Sequence, residues 1–340
     1  MTGTPLPVLW LCGAPGTGKS TIGFALHRRL PGSAYVDLDQ LGICYPEPAD
    51  DPGRHRLQLE NLRAVAENFR GASALVVSGV VDPRGRVAPD VGLLCRLHAS
   101  PDDVRTRLLG RGDGDLPGAL AELEALERRG IGLRVDTTGL TVAEVADRVA
   151  ERTGWLTHPL GGLADPPVPS AEANDVAVHL ICGPTGVGKS TVGWRVYERL
   201  LATGATAGYV DLEQLGFCPP NDHRAKAANL AVLATAYRKI GATALVVVGP
   251  VDEPALQAYA QALGTTRLRV HALYTDRDEL TRRILSRHDQ PSWAAPGDRL
   301  NRQPLEVLRR IAAETRPNDL GHRVDTTAKT VDEVADEIVG

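Results

Sequence analysis

The chain has 340 residues, 43% of them apolar, 24% charged and only 4% aromatic, which predicts about two domains with cores of Leu, Val and Ala. Its formal net charge is −4, and it has no basic block interleaved with aromatics, so nucleic acid is not an expected partner. No apolar run approaches the length of a membrane span, and Met1–Leu11 lacks a charged leader, so no membrane partner and a cytoplasmic location are expected.

The apolar run Pro7–Cys12 predicts a first strand. It leads into Gly13-Ala14-Pro15-Gly16-Thr17-Gly18-Lys19-Ser20 and then a helix-like stretch, Thr21–Leu30. Val176–Cys182, Gly183-Pro184-Thr185-Gly186-Val187-Gly188-Lys189-Ser190 and Thr191–Leu201 repeat the arrangement. Both loops satisfy G-x-x-x-x-G-K-[ST] in strand–loop–helix context. Successive backbone N–H groups in such a loop form an anion nest, to which the helix N-terminus adds its dipole. The lysine reaches the β- and γ-phosphates and the serine hydroxyl binds Mg²⁺, so nucleoside triphosphates are expected at two places. Lys19, Lys189, Lys226, Lys239 and Lys329 are the lysines; the other basic residues are Arg. Two of the five therefore stand where a compact ammonium is needed.

Tyr35-Val36-Asp37-Leu38-Asp39 recurs as Tyr209-Val210-Asp211-Leu212-Glu213. Strand alternation puts Asp37 with Asp39, and Asp211 with Glu213, on one side facing the P-loop. Next, His55-Arg56 matches His223-Arg224. Arg56 and Arg224 are candidates to clamp an anionic acceptor group, with a solvated helix face as the equal alternative. The third apolar run ends at Ser78-Gly79-Val80-Val81-Asp82 and Val248-Gly249-Pro250-Val251-Asp252. No acid follows it directly, so a strict Walker-B Asp is missing, and the glycine leaves room for ligand or backbone. Asp82 and Asp252 read better as helix caps. Arg105, Arg107 and Arg111, and later Arg282, Arg283 and Arg287, mark a helix running into a lid. Arg134-Val135-Asp136-Thr137-Thr138 and Arg323-Val324-Asp325-Thr326-Thr327 close each half.

Predicted strands lie near 7–12, 33–37, 72–78, 91–98 and 131–136, and again near 176–182, 207–211, 242–248, 267–274 and 321–325. They are continuously apolar, as in a parallel sheet covered on both faces. The expected fold is α/β, a doubly wound parallel-sheet domain of the P-loop NTPase kind, twice. The expected boundaries are 1–153, a Pro/Gly-rich linker at 154–175, and 176–340. The offset between halves is 252 − 82 = 170 at the third-strand aspartates and 325 − 136 = 189 at the D-T-T turns. An added segment before the last strand of half two, containing Arg299 and Arg302, is expected to extend its lid. Cys12, Cys44, Cys95, Cys182 and Cys218 show no C-x-x-C spacing and read as small buried hydrophobes.

On these motifs each half resembles a small P-loop kinase of the shikimate, gluconate and nucleoside-monophosphate kinase group. The resemblance covers nearly all of both halves outside the linker. It implies ATP and Mg²⁺ as cofactors and a small hydroxylated metabolite as phosphoryl acceptor. It places Gly13, Gly16, Thr17, Gly18, Lys19, Ser20 and Thr21, with Gly183, Gly186, Val187, Gly188, Lys189, Ser190 and Thr191, around the phosphates. Ser20 and Asp37, and Ser190 and Asp211, would hold the metal. Asp39 and Glu213 would take the hydroxyl of the acceptor, beside Gly79 and Gly249. Arg107, Arg111, Arg283 and Arg287 would close over the transferring group. Asp136, Thr138, Asp325 and Thr327 would border the adenine. The resulting expectation is an ATP-dependent phosphotransferase, with one catalytic and one supporting half as a variant and an intramolecular pseudo-dimer as a possible assembly. The competing expectation is a nucleotide-binding regulatory ATPase or switch without a small acceptor.

Overall fold

A computed structural model describes residues 6–85, 92–110, 115–155, 173–218, 223–289, 295–301, 303–316 and 320–340. The first half runs β1 (Val8–Cys12), α1 (Lys19–Arg29), β2 (Ala34–Asp37), a 3-10 turn (Leu38–Gly42), β3 (Cys44–Tyr45), α2 (His55–Glu67), β4 (Leu75–Ser78), β5 (Leu93–His98), α3 (Pro101–Leu109), α4 (Leu116–Arg129), β6 (Leu133–Asp136) and α5 (Val142–Thr153). The second runs β7 (Ala177–Cys182), α6 (Lys189–Ala202), β8 (Ala207–Asp211), α7 (His223–Lys239), β9 (Ala244–Val248), α8 (Glu253–Leu263), β10 (Leu268–Tyr274), α9 (Arg277–Ser286), α10 (Leu305–Glu314), β11 (His322–Asp325) and α11 (Val331–Val339). All ten predicted strands appear.

The first sheet has the order β2-β4-β1-β5-β6 and the second β11-β10-β7-β9-β8-β3. Every pairing is parallel except β3 with β8, which is antiparallel. Strands β1, β4 and β9 are buried along their whole length, which explains their unbroken apolar runs. Thr141 with Glu144, and Thr330 with Glu333, form capping boxes that start α5 and α11. These helices pack on α1 and α6 over one face of each sheet. All five cysteines are free and buried. Among the described residues, no helix is long and apolar enough to cross a membrane.

The opposite sheet faces share one core. Val36, Leu62 and Val77 from the first half join Val210, Leu230 and Val247 from the second in a single cluster. Helices α2 and α7 meet there, and Asn68 Nδ2 donates to Asn229 Oδ1 at 2.8 Å. Two-residue β3, absent from the sequence expectation, leaves its own sheet and extends the second along β8. In return Tyr35 and Phe217 exchange backbone bonds, both 2.8 Å, at the edge of the first sheet.

The lengthening of half two occurs in two places rather than one. The offset is 276 − 100 = 176 at the helix-capping residues Ser100 and Asp276, already above the 170 at the preceding aspartates. Helix α8, N-capped by Asp252, lies within the first gain. The second gain precedes α10. Of the added basic residues, Arg299 is exposed and Arg302 lies outside the described residues.

The halves also differ inside the sheet. His179 and His271, both buried, occupy on β7 and β10 the places that Leu9 and Cys95 hold on β1 and β5. Their rings stack, with Nδ1 of His179 3.3 Å from Nε2 of His271. Burial pushes both imidazoles down to about 4. The native state therefore binds fewer protons than the unfolded chain between about pH 6.5 and 4, and stability falls as pH drops through that window. His179→Leu with His271→Cys is expected to remove that loss at pH 4, about 3 kcal/mol for each histidine, read by urea unfolding at pH 7 and pH 4. An unchanged pH slope refutes the assignment.

Candidate nucleotide and phosphoryl-transfer site

Both P-loops sit at the carboxyl end of their first strand, where β1 adjoins β4 and β7 adjoins β9, the crevice in which open parallel sheets bind ligands. A Cβ at Gly13 would lie 2.5 Å from Leu97 O, and one at Gly183 would lie 2.6 Å from Leu273 O. Only glycine lets the loop turn this close to the neighbouring strand. Helices α1 and α6 start after left-handed Gly18 and Gly188 with no capping side chain, whereas α5 and α11 are fully capped. Their first N–H groups are thus left for an anion, with the helix dipole behind them. Lys19 Nζ bonds Ala14 O and Lys189 Nζ bonds Pro184 O, each at 3.1 Å across the loop. These donor sets fit nucleoside phosphates.

The serine and the first acid come together as expected. Ser20 Oγ donates to Asp37 Oδ2 at 2.8 Å, and Ser190 Oγ donates to Asp211 Oδ2 at 3.0 Å. The other carboxylate oxygen caps the following turn, accepting from Asp39 N at 3.1 Å or Glu213 N at 2.9 Å. Burial, with the Asp39 charge adding to it, pushes Asp37 up to about 7; burial lifts Asp211 to about 6. A carboxylate held this way is short of a cation, and with the serine it supplies oxygen ligands of the kind Mg²⁺ takes. Asp39 and Glu213 are exposed at the mouth of the cleft.

Several candidates are engaged elsewhere. Arg107 Nη1 donates to Gly16 O (3.2 Å) and Thr137 Oγ1 (3.1 Å), and its Nη2 to Thr137 O (3.1 Å). Arg283 repeats this on Val187 O, Thr326 Oγ1 and Thr326 O, at 3.0, 3.0 and 2.9 Å. These arginines clamp the P-loop to the D-T-T turn, so their donors point at backbone. Arg287 pairs with Asp298 at 2.8 Å, and Arg111 lies outside the described residues. Arg56 pairs with Asp50 at 2.7 Å on the surface, and Arg224 is exposed, so the solvated-face alternative describes both. Thr17 turns its hydroxyl onto Ala14 O at 2.8 Å, stiffening the loop from within; its counterpart Val187 is buried. Thr21 and Thr191 are exposed on the first helical turn. The space beside Gly79 and Gly249 is filled by Leu38 and Leu212, whose Cβ atoms would lie 2.4 and 2.7 Å from an added Cβ. Those glycines admit the D-L-[DE] turn, not a ligand. Asp136 Oδ1 and Asp325 Oδ1 each accept the amide two residues on, Thr138 N and Thr327 N, at 2.9 Å. Thr138 and Thr327 in turn accept from Ser100 N (2.9 Å) and Asp276 N (3.1 Å).

Other residues at the site were not singled out from the sequence. Tyr35 Oη lies 2.7 Å from Ser78 Oγ and donates to Ser20 O at 3.5 Å; Tyr209 Oη makes the equivalent contact with Ser190 O at 3.4 Å. Ser78 stands where an acid would end the third strand, and half two has Val248 there. Thr137 and Thr326 carry the arginine clamp. The repetition of Y-V-D-L and D-T-T pointed to these positions, but no side-chain role could be read from it.

Residues 9–122 match the family model described as AAA domain. No curated protein matches the chain. Among solved structures, the tunicamycin resistance protein of Deinococcus radiodurans is 23% identical, covering 48% of this chain and 100% of that one with a TM-score of 0.36. Acinetobacter baumannii shikimate kinase in complex with shikimate is 17% identical, covering 44% and 93%, TM-score 0.33. Mycobacterium tuberculosis APS kinase in complex with AMPPNP and APS is 19% identical, covering 48% and 96%, TM-score 0.34. With its two parallel sheets, each bearing a glycine-cradled loop ahead of its first helix, the chain carries the P-loop NTPase fold twice, similar over residues 9–122 to the AAA domain.

Proposed function

We propose that the protein is a Mg²⁺-dependent phosphotransferase that moves the γ-phosphoryl group of ATP to a hydroxyl of a small metabolite. The observation carrying this reading is the Ser20–Asp37 contact beside Lys19, with a second acid two residues on, reproduced at Ser190–Asp211 beside Lys189. When bound, ATP supplies the phosphoryl group, and Mg²⁺ neutralises charge on the phosphates. The loop amides and Lys19 or Lys189 hold those phosphates, while Ser20 with Asp37, or Ser190 with Asp211, hold the metal. Asp39 or Glu213 orients the acceptor hydroxyl and takes its proton; such transfer needs mainly positioning and charge neutralisation. The arginine clamps on the P-loop carbonyls fix loop and D-T-T turn as one rigid body.

The assembly we infer is an intramolecular pseudo-dimer of domains 1–153 and 176–340, supported by the shared core and the exchanged edge segments. It also leaves room for one half to act mainly as a nucleotide-bound support for the other. A regulatory ATPase without an acceptor is the competing reading; the exposed second acid at each cleft favours an acceptor.

With γ-labelled ATP and Mg²⁺, wild type is expected to label a small molecule from a hydroxyl-metabolite extract. Lys19→Ala and Lys189→Ala should each remove the share of their own half by about 10²-fold or more, and the double variant should remove all label. Label only in free phosphate would refute the reading.

A further inference from the structure

The two clefts differ in charge, and the difference bears on what the first one accepts. In half two, Lys226 on α7 is within reach of both acids of the cleft: burial lowers its pKa, and the charges of Glu213 and Asp211 raise it again. Two carboxylates there face two lysines, Lys189 and Lys226. In half one the residue matching Lys226 is Gln58, and the only lysine is Lys19. A third carboxylate, Glu122, enters from α4. That helix packs Ala119 and Leu123 onto Ala14 of the P-loop and Leu126 into the shared core. Glu122 lies on the same helix face, three residues after Ala119 and four before Leu126. In half two its counterpart on α10 is Ile311.

Glu122 Oε1 is shut off from solvent and has no hydrogen-bond partner among the described residues. Burial lifts this carboxyl to about 7; the Lys19 charge pulls it down and the Asp39 charge pushes it up. Two neutral groups are also unused, Trp10 Nε1 and Gln58 Oε1; their residues line a cavity about the size of one water with Leu38, the residue before Asp39, and with Asp82. Trp10 and Gln58 are 3% and 4% exposed, yet neither atom finds a partner among the described residues. A buried donor, acceptor and carboxylate left unpaired each cost free energy until something binds them.

Taking the phosphotransfer reading as its basis, we propose that half one is built for a cationic acceptor, an amine-bearing polyol whose ammonium pairs with Glu122. Its reacting hydroxyl meets Asp39. In the transfer step the acceptor O–H bond breaks and its proton passes to the Asp39 carboxylate. The oxygen bonds to the γ-phosphorus as the bond to the bridging oxygen breaks, and ADP leaves. With the nucleotide present, Lys19 is committed to phosphate and the cleft becomes more negative, so the ammonium supplies the charge that half two builds in as Lys226.

The test uses the full chain carrying Lys189→Ala, so that half one alone reports, with γ-labelled ATP and Mg²⁺. It is offered a cationic pool of amino sugars and aminocyclitols, a neutral pool of the parent sugars and cyclitols, and an anionic pool of sugar acids. Label is expected in the cationic pool. Glu122→Gln should then raise KM for the labelled amine at least 10-fold, with kcat and the KM for ATP within about threefold of the parent. Glu122→Lys should shift label toward the anionic pool, and unfolding midpoints check that both variants fold. Label confined to the neutral or anionic pool, or an unmoved KM in folded Glu122→Gln, overturns the cationic acceptor and leaves the phosphotransfer reading standing. Label in no pool, where wild type still labels one, overturns the cationic acceptor and leaves transfer to half two; no label from wild type either overturns both.

Discussion

Asp37→Asn is expected to abolish transfer by half one while making the ligand-free protein more stable at pH 8. The side chain is 3% exposed, and its pKa of about 7 is raised chiefly by burial. A raised carboxylate pKa means that the native state keeps a proton the unfolded chain has already lost. Stability contributed by this group is full below about pH 4 and declines as pH rises through 7. Asparagine preserves the shape and can still accept from Asp39 N, with its amide donating to Ser20 Oγ. At pH 8 it should add about 1–3 kcal/mol more than at pH 5, where the native carboxyl is protonated and only the unfolded chain has lost its proton. Transfer by half one, measured in the Lys189→Ala background, should fall about 10²–10³-fold because the metal loses its carboxylate. A variant that is no more stable at pH 8 than at pH 5, or that transfers normally, contradicts this account of Asp37.

That trade explains which parts of the molecule were legible in the sequence. The P-loops and the strand positions follow from local rules, glycine at positive φ and apolar runs of strand length. The Ser–Asp pairing was implied by the family resemblance, and strand alternation does not carry the second acid, because β2 ends at Asp37 and Asp39 lies on the following 3-10 turn. Loops and strands were read at the correct residues. The roles of Arg107 and Arg283 were not, because a guanidinium on a helix looks the same whether its donors reach a phosphate or the carbonyls of Gly16 and Thr137. Gly79 and Gly249 were read as leaving room for ligand or backbone and placed beside the acceptor, while Leu38 and Leu212 of the D-L-[DE] turn fill the space. Glu122 gave no signal at all: it is one acid on an amphipathic helix, distinguished only once Ile311 is seen in the matching place. Lys226 carried a signal that went unused, being one of only five lysines in the chain. β3 was missed because two residues have no periodicity.

The second large effect is expected at Leu230, fully buried in α7 within the core common to both halves. Leu230→Ala should cost about 2–5 kcal/mol through lost contacts and the cavity left behind. Because Val36, Leu62 and Val77 from half one line the same cluster, the cost should fall on the whole molecule. Calorimetry is expected to show one cooperative transition, displaced as a unit, and transfer by both halves should fail at the same temperature. Two resolved transitions, with only one displaced, would show that the halves unfold independently despite their shared packing.

A sheet edge is a template: its unpaired N–H and C=O groups recruit any extended chain that reaches them. In this protein each half covers such an edge on the other, Cys44–Tyr45 along β8 and Phe217 against Tyr35. Either half made by itself would present an adhesive border bearing the backbone pattern of its missing partner. It would pair with further copies of itself and precipitate, and the two pieces would be recovered in solution only if synthesised together. Covering the border depends on backbone and shape rather than on the side chains of either cleft. One cleft can therefore change its chemistry, or lose it, and its half would still be needed to keep the other from aggregating.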